Sequence, residues 1–494
     1  MRLSWHSYRY YPYERELAHR EIASLLKATF TQEVEGGVEV PEYTNAAPAG
    51  QLTYFAGYVN GHGYIETVQS RLEDAARLGK NRQATRYSVH GLHEYKGKFN
   101  PQIAKAILNI FGIRRSQRVL DPFCGSGTTL VECAHLGALG HGTDINPLAV
   151  YIANAKLCAL TTPAAMLRSI LCKLERGLKQ TRRWKTTISS DGRGQYLQAW
   201  FEPHILQIIE IFREKIKDSA GDFSAIFLTL ASNLLRDYSL QDPHDLRIRR
   251  RKSALPETSF VDAFLAAAEQ FLERLEGAQS VLGVKQRTGN AHLCDITAVK
   301  ENKFRHLFDA ALTSPPYAMA LPYIDTQRLS LVWLGLLSPD RILGLESELI
   351  GSRELRGSPR RHVIDNMREN IAGLPEPDAA FCITLQKALR EGDGFRRQAV
   401  PKVLYRYFAA MKTSFKSIRA LMKPKAPFAL IVGHNHTVLG GTRFDINTPS
   451  HLASIAQNVG WKVNEVIKLQ TYRRYGYHMN NAVGAETLLI LRNQ

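Results

Sequence analysis

Two short segments carry residues whose types and spacing could do chemistry. Asp121-Pro122-Phe123-Cys124-Gly125-Ser126-Gly127-Thr128-Thr129 follows a strand-like Arg118-Val119-Leu120. Gly125 and Gly127 permit a turn that no residue with a Cβ makes cheaply, and Thr128 opens a helical pattern through Val131, Cys133 and Leu136. A strand, a glycine turn and a helix in that order seat a ligand at the carboxyl edge of an open sheet. About 20 residues on, the distance typical of a ribose-binding acid, Gly142-Thr143-Asp144-Ile145-Asn146-Pro147 supplies Asp144, whose carboxylate can accept both hydroxyls of a ribose. The loop reads as a seat for a nucleotide-type cofactor. Leu130 stands where the dinucleotide fingerprint has its third glycine, which disfavours NAD, and the lysine of a phosphate-binding P-loop is absent.

The second segment, Thr313-Ser314-Pro315-Pro316-Tyr317, follows the apolar run Phe308-Asp309-Ala310-Ala311-Leu312. Its prolines stiffen the loop and set its backbone direction. Tyr317 offers a flat face for stacking. Alone, the segment is equally a proline turn between strand and helix; beside the glycine loop it reads as a pocket for a planar amine.

This pairing resembles the amino-methyltransferases of DNA, which move a methyl group from S-adenosylmethionine (AdoMet) to the exocyclic nitrogen of cytosine or adenine. The resemblance covers residues 86–155 and 286–335 clearly and 401–494 weakly. It implies AdoMet as cofactor, with Asp121, Phe123, Gly125 and Gly127 around its methionine and sugar portions, Asp144 at the ribose, and Pro122, Thr128 and Asn146 as further cofactor-binding residues. Asp295, in His292-Leu293-Cys294-Asp295-Ile296, resembles the acid that meets the adenine amino group; it is equally a loop cap. His93, Lys98, Phe99 and Pro101 resemble an additional cofactor segment whose helix flanks the methionine end. Asn100 suits the N-cap and Pro101 the first turn of a helix from Ile103 to Phe111, and a helix N-terminus preceded by lysines seats a carboxylate.

The chemistry follows from the amine. Its lone pair is delocalised into the ring, so it is a poor nucleophile. Two acceptors aimed at its hydrogens, the Ser314 hydroxyl and the Pro315 carbonyl, pull the nitrogen toward tetrahedral geometry, with Pro316 stiffening the loop and Tyr317 stacked on an extruded base. Orientation and charge placement supply the rate. The family commonly has Ser-Pro-Pro-Tyr in N4-cytosine enzymes and Asp-Pro-Pro-Tyr in N6-adenine enzymes, so Ser314 favours cytosine, with adenine the alternative. C5 methylation is disfavoured because neither a cysteine after a proline nor a Glu-Asn-Val segment is found. An RNA amino-methyltransferase, a non-catalytic methylase-fold DNA binder and a protein-glutamine methyltransferase are the competing readings. Restriction-modification or defence beside a cognate nuclease is the setting the family implies. No metal is expected.

The expected fold is α/β, a Rossmann-like AdoMet-methyltransferase sheet, mostly parallel with one antiparallel strand near the C-terminus and a large helical insertion. Residues 1–80 read as an N-terminal arm, 81–159 as the cofactor half, 160–285 as the helical insertion, 286–339 as the catalytic half, 340–400 as a basic insertion and 401–494 as the C-terminal part of the core, with a helix Val403–Met422 and strands Phe428–Gly433, Trp461–Leu469 and Glu486–Leu491. The 494 residues carry a formal charge of +18, which favours a polyanionic partner because Lys and Arg release phosphate counterions. The excess clusters at Arg247-Ile248-Arg249-Arg250-Arg251-Lys252, between Arg353 and Arg361, and at Arg473 and Arg474; Arg249, Arg250, Arg251, Lys252, Arg473, Arg474 and Tyr475 are the expected contacts to double-stranded DNA. The 160–285 insertion is the first candidate for DNA recognition and 340–400 its rival. The six cysteines show no metal-ligand spacing and are expected reduced and buried. The N-terminus lacks a signal-peptide core and no apolar run approaches the ~20 residues of a membrane span, so a cytoplasmic location is expected.

Overall fold

A computed structural model describes residues 1–61, 63–74, 83–181, 185–300, 303–319, 323–353, 360–470 and 485–494. The chain opens with short strands: β1 (Arg2–Trp5), β2 (Gln32–Val34), β3 (Gly37–Glu39), β4 (Phe55–Val59) and β5 (Tyr64–Glu66), in an antiparallel sheet of order β2-β3-β1-β4-β5. Where the sequence suggested an arm, this sheet and the helix Pro12–Leu26 share one apolar core with the rest of the protein. Leu17, Ile22, Leu26, Tyr54 and Phe55 pack with Ile103 and Ile107 and with one face of the main sheet. Buried Glu21 fastens the joint, accepting from Thr53 Oγ1 at 2.6 Å and Asn109 Nδ2 at 2.7 Å.

The main sheet is built from β6 (Arg118–Asp121), β7 (Leu139–Asp144), β8 (Asn290–Leu293), β9 (Ala310–Thr313), β10 (Pro427–Gly433), β13 (Trp461–Gln470) and β14 (Ala485–Asn493); β11 (Asn435–Leu439) and β12 (Thr442–Ile446) form a separate hairpin between β10 and β13. Its order is β13-β14-β10-β9-β6-β7-β8. The pairs from β10 to β8 are parallel, and β14 runs antiparallel to both β10 and β13. This is the expected α/β sheet with one reversed strand. Its strands are apolar on both faces because helices cover both. Val119, Leu312, Ala429 and Ile431 face the N-terminal block, while Leu120, Ala311, Leu430 and Val432 face the helices Glu376–Lys387, Phe395–Leu421 and Thr448–Asn458.

Among its described residues the 160–285 region forms five α-helices, Ala164–Lys179, Gly192–Trp200, Pro203–Ala220, Ser224–Leu234 and Phe260–Leu282. Phe212, Phe260 and Phe264 meet edge to face at its centre, and it shares a core with Leu130, Val131 and Ile152 of the cofactor half. The C-terminal helix begins at Phe395, eight residues before the expected Val403, and runs through Pro401. A proline removes one helical bond; here Val400 and Pro401 are buried, and that packing carries the helix across it. The cysteines are free thiols; Cys124, Cys133 and Cys382 are buried as expected, but Cys158 and Cys294 are only half-buried and Cys172 is exposed. No single helix among the described residues is long and apolar enough to cross a membrane.

Candidate functional site

The strand order reverses between β6 and β9, since β7 and β8 lie to one side of β6 and β9 and β10 to the other. Ligands of open α/β sheets bind in the crevice at such a switch point. Both sequence segments lie there, the glycine loop after β6 and the Ser-Pro-Pro-Tyr loop after β9. Asp121 joins them. Its carboxylate, 1% exposed, accepts from Thr313 Oγ1 at 2.6 Å and from Phe123 N at 3.3 Å, and burial raises it to about 6. It is thus a buried clamp between the two strands. Gly127 heads the helix Thr128–His135 at φ +82°, and a Cβ there would come within 2.9 Å of Ala153 Cβ.

Asp144, at the carboxyl end of β7, turns toward the glycine loop. Its oxygens accept from Gly125 N at 3.0 Å and Asn146 N at 2.9 Å, and burial raises it to about 6. Asn146 caps the helix Pro147–Thr161 through Leu148 N at 3.0 Å and donates to Gln327 at 2.6 Å. The Tyr95 ring lies beside Gly125, where a Cβ would stand 3.3 Å from Cε1. On the opposite side, Lys156 is buried and donates to the Ser126 carbonyl at 2.8 Å; burial and Lys98 push its pKa far down. His93 is buried with Nδ1 2.6 Å from the Glu94 carbonyl, and burial lowers it to about 4. The segment bearing it is tied to the cofactor helix by Glu132, which meets Tyr87 OH at 2.8 Å and His90 Nε2 at 2.7 Å. Asn100 caps the helix Pro101–Ile110 by accepting from Gln102 N at 2.9 Å. Phe99 packs into the N-terminal core, Pro101 is buried, and Lys98 Nζ lies 3.4 Å from the His90 carbonyl.

The catalytic loop is fastened from β10 and β14. Ser314 Oγ donates to the Ile431 carbonyl at 3.2 Å. A hydroxyl has one proton and two lone pairs, so this bond leaves Ser314 only accepting capacity toward the crevice. Tyr317 lies flat over Gly433, where a Cβ would come within 2.8 Å of the ring, and its hydroxyl donates to Glu486 Oε1 at 2.5 Å. Asn435 Nδ2 donates to the Ala318 carbonyl at 2.9 Å. Pro315 is buried and Pro316 half-buried.

Residues 92–180 match the family model of the RMKL-like methyltransferase domain. The chain is 24% identical over 401 residues to the type II methyltransferase M.MvaI of Kocuria varians, spanning 76% of this chain and 83% of that one. It is 22% identical over 417 residues to the type II methyltransferase M.AvaI of Nostoc sp., spanning 80% and 83%. A shorter stretch of 52 residues is 38% identical to the tRNA (guanine(10)-N2)-dimethyltransferase of Methanothermobacter thermautotrophicus, 10% of this chain and 16% of that one. The protein is an AdoMet-dependent methyltransferase.

The residues of this methyltransferase fit that cofactor. Asp144 is oriented by two backbone N–H groups and retains lone pairs for ribose hydroxyls. Among the described residues, buried His93 Nε2 has no hydrogen-bond partner and, with Nδ1 turned to a carbonyl, offers one acceptor. Lys98 is the cation suited to the methionine carboxylate, while buried Lys156, its pKa pushed far down, holds the glycine loop through the Ser126 carbonyl. Asp295 Oδ1 caps the following turn through Thr297 N at 2.8 Å, just past β8, and its side chain is exposed at the same sheet edge as Asp144. Tyr95, Lys156, Gln327 and Glu486 were not singled out from the sequence.

Of the basic residues, Arg249 pairs with Asp245 at 2.9 Å. Arg250 lies over the Trp200 ring at 5.4 Å and donates to the Ala199 carbonyl at 2.9 Å. Arg251 donates to the Asp237 carbonyl at 2.7 Å, and Lys252 is exposed. Arg250 and Arg251 therefore hold their own loop in place. Arg473, Arg474 and Tyr475 lie outside the described residues.

Proposed function

We propose that this methyltransferase acts on DNA, transferring the methyl group to the exocyclic N4 of a cytosine flipped out of the duplex. The observation that carries the reading is the bonding of Ser314. Its proton is committed to Ile431, so the hydroxyl meets an amine only as an acceptor, as polarising an amine requires. The Pro315 carbonyl is the second acceptor, and the outer face of the Tyr317 ring takes the base. Asp121 and Thr313 keep this loop in register with the cofactor loop, which supplies the near-attack placement. AdoMet would be held by Asp144, Tyr95, His93 and Lys98 and would supply an electrophilic methyl group. The +18 charge suits a polyanionic substrate. The long-range relatives are named type II methyltransferases, which supports a restriction-modification setting and a cognate nuclease as partner. The test is tritium transfer from labelled AdoMet to unmethylated duplex DNA and to unmodified tRNA transcripts in parallel. Label in DNA is expected; label confined to RNA contradicts the reading.

A further inference from the structure

Arg353 closes the far side of the catalytic loop. Its Nε and one Nη donate to the carbonyl of Met319, two residues past Tyr317, at 3.3 and 3.0 Å. The preceding Ser352 is held in turn by Arg406, which donates to its carbonyl at 2.5 Å. Two further exposed arginines from remote parts of the chain come within electrostatic range of Arg353: Arg247 from the loop after the helix Ser224–Leu234, and Arg396 from the first turn of Phe395–Leu421.

The positions of both follow from their anchors. Gln241 Nε2 ties the Arg247 loop to the Asp325 carbonyl at 3.1 Å, just past the catalytic loop, and Arg236 grips the carbonyls of Asp242 and Asp245 at 2.9 and 2.7 Å. Asp245 is taken by the backbone N–H of Arg247 and by the Arg249 side chain. At the other anchor, Asp393 accepts from Arg390 N and Gly440 N at 2.9 Å each and lies 4.0 Å from Arg397. Asp245 and Asp393 are thus committed elsewhere, and among the described residues no ion pair neutralises Arg247, Arg353 or Arg396. Burial and then the like charges of Arg396 and Arg247 push the Arg353 pKa down, an electrostatic cost that an anion between them would relieve. The guanidinium fork matches a phosphate geometrically.

We propose that Arg247, Arg353 and Arg396 form a phosphate clamp at the rim of the catalytic loop, built jointly by the two insertions, which grips the DNA backbone beside the target nucleotide. The inference rests on the DNA reading. It also changes the question of which insertion meets DNA, since each supplies one jaw and Arg353 joins them to the active loop.

The test is binding of the full-length protein to a fluorescent duplex across a salt series. Arg247→Gln, Arg353→Gln and Arg396→Gln are compared with Lys173→Gln, which removes the same charge from an exposed position on the helix Ala164–Lys179. Each lost phosphate contact lowers the slope of log K against log salt by about 0.9. The expected result is that drop for each clamp variant, about twice as much for Arg247→Gln with Arg396→Gln, an unchanged slope for Lys173→Gln and unchanged AdoMet affinity throughout. Because Arg247 and Arg396 are exposed, their variants judge the clamp even if Arg353→Gln disturbs the loop. Methyl transfer to DNA by the wild type, measured in the same samples, separates the two failures. Transfer with wild-type slopes in the variants, or an equal drop in Lys173→Gln, overturns the clamp. No transfer and no duplex binding overturns the DNA reading, and the clamp with it.

Discussion

Replacing Glu486 should disable the catalytic loop without touching the cofactor site. Gly433 lies against the Tyr317 ring, and Glu486 Oε1 stands 2.5 Å from its hydroxyl. A hydrogen bond to a carboxylate contributes about 1.5–3 kcal/mol. If that energy holds the ring where a base stacks, its loss lowers the single-turnover rate by roughly 10- to 150-fold, at 1.36 kcal/mol per factor of ten. Glu486→Ala is therefore expected to slow methyl transfer by that range. Glu486→Gln retains an acceptor oxygen and should lose only a few-fold. Tyr317→Phe removes the other half of the bond, so the double variant should be little slower than the worse single one. The assay is single-turnover transfer of tritiated methyl to saturating DNA, with AdoMet affinity measured in parallel. A wild-type rate for Glu486→Ala, or losses that multiply fully in the double variant, would refute the argument.

Gly433→Ala places a methyl group within 2.8 Å of the Tyr317 ring; transfer should fall sharply while the unfolding midpoint stays near wild type. AdoMet binding should depend on pH through Asp144. Burial raises its pKa to about 6, and ribose hydroxyls bind the ionised form, so Kd is flat above that value and climbs about tenfold per unit below it. Asp144→Asn should bind weakly with that dependence removed, and calorimetry across pH 5 to 8 checks both. Thr313→Val leaves the buried Asp121 carboxyl short of a donor and should cost about 1–3 kcal/mol in denaturant unfolding.

What could be read from the sequence was local. The strand, glycine turn and helix from Arg118 to Leu136, the Asn100 cap and the proline loop are each specified by neighbours close in sequence, and each appears where the pattern put it. What was missed depends on strands meeting across long separations. Glu486 reaches Tyr317 because β14 returns antiparallel beside β10, and nothing around Glu486 marks it. Lys156 sits in an ordinary helical pattern, and its value arises only because that helix buries it under Ser126. Asp121 reads as a cofactor residue until the neighbouring β9 brings Thr313 within 2.6 Å. The N-terminal sheet escaped notice because its strands are 3–5 residues long, too short for alternation to register. Arginines 250 and 251 form a conspicuous run, yet their carbonyl partners, Ala199 and Asp237, are 51 and 14 residues away.

The central claim is tested most directly by mass spectrometry of nucleosides from unmethylated DNA incubated with the protein and AdoMet. Ser314→Ala serves as control, since it removes the hydroxyl that Ile431 holds as an acceptor. N4-methylcytosine is expected with the wild type, with near-complete loss in the control. N6-methyladenine in its place, or a modified base undiminished by Ser314→Ala, would contradict the claim.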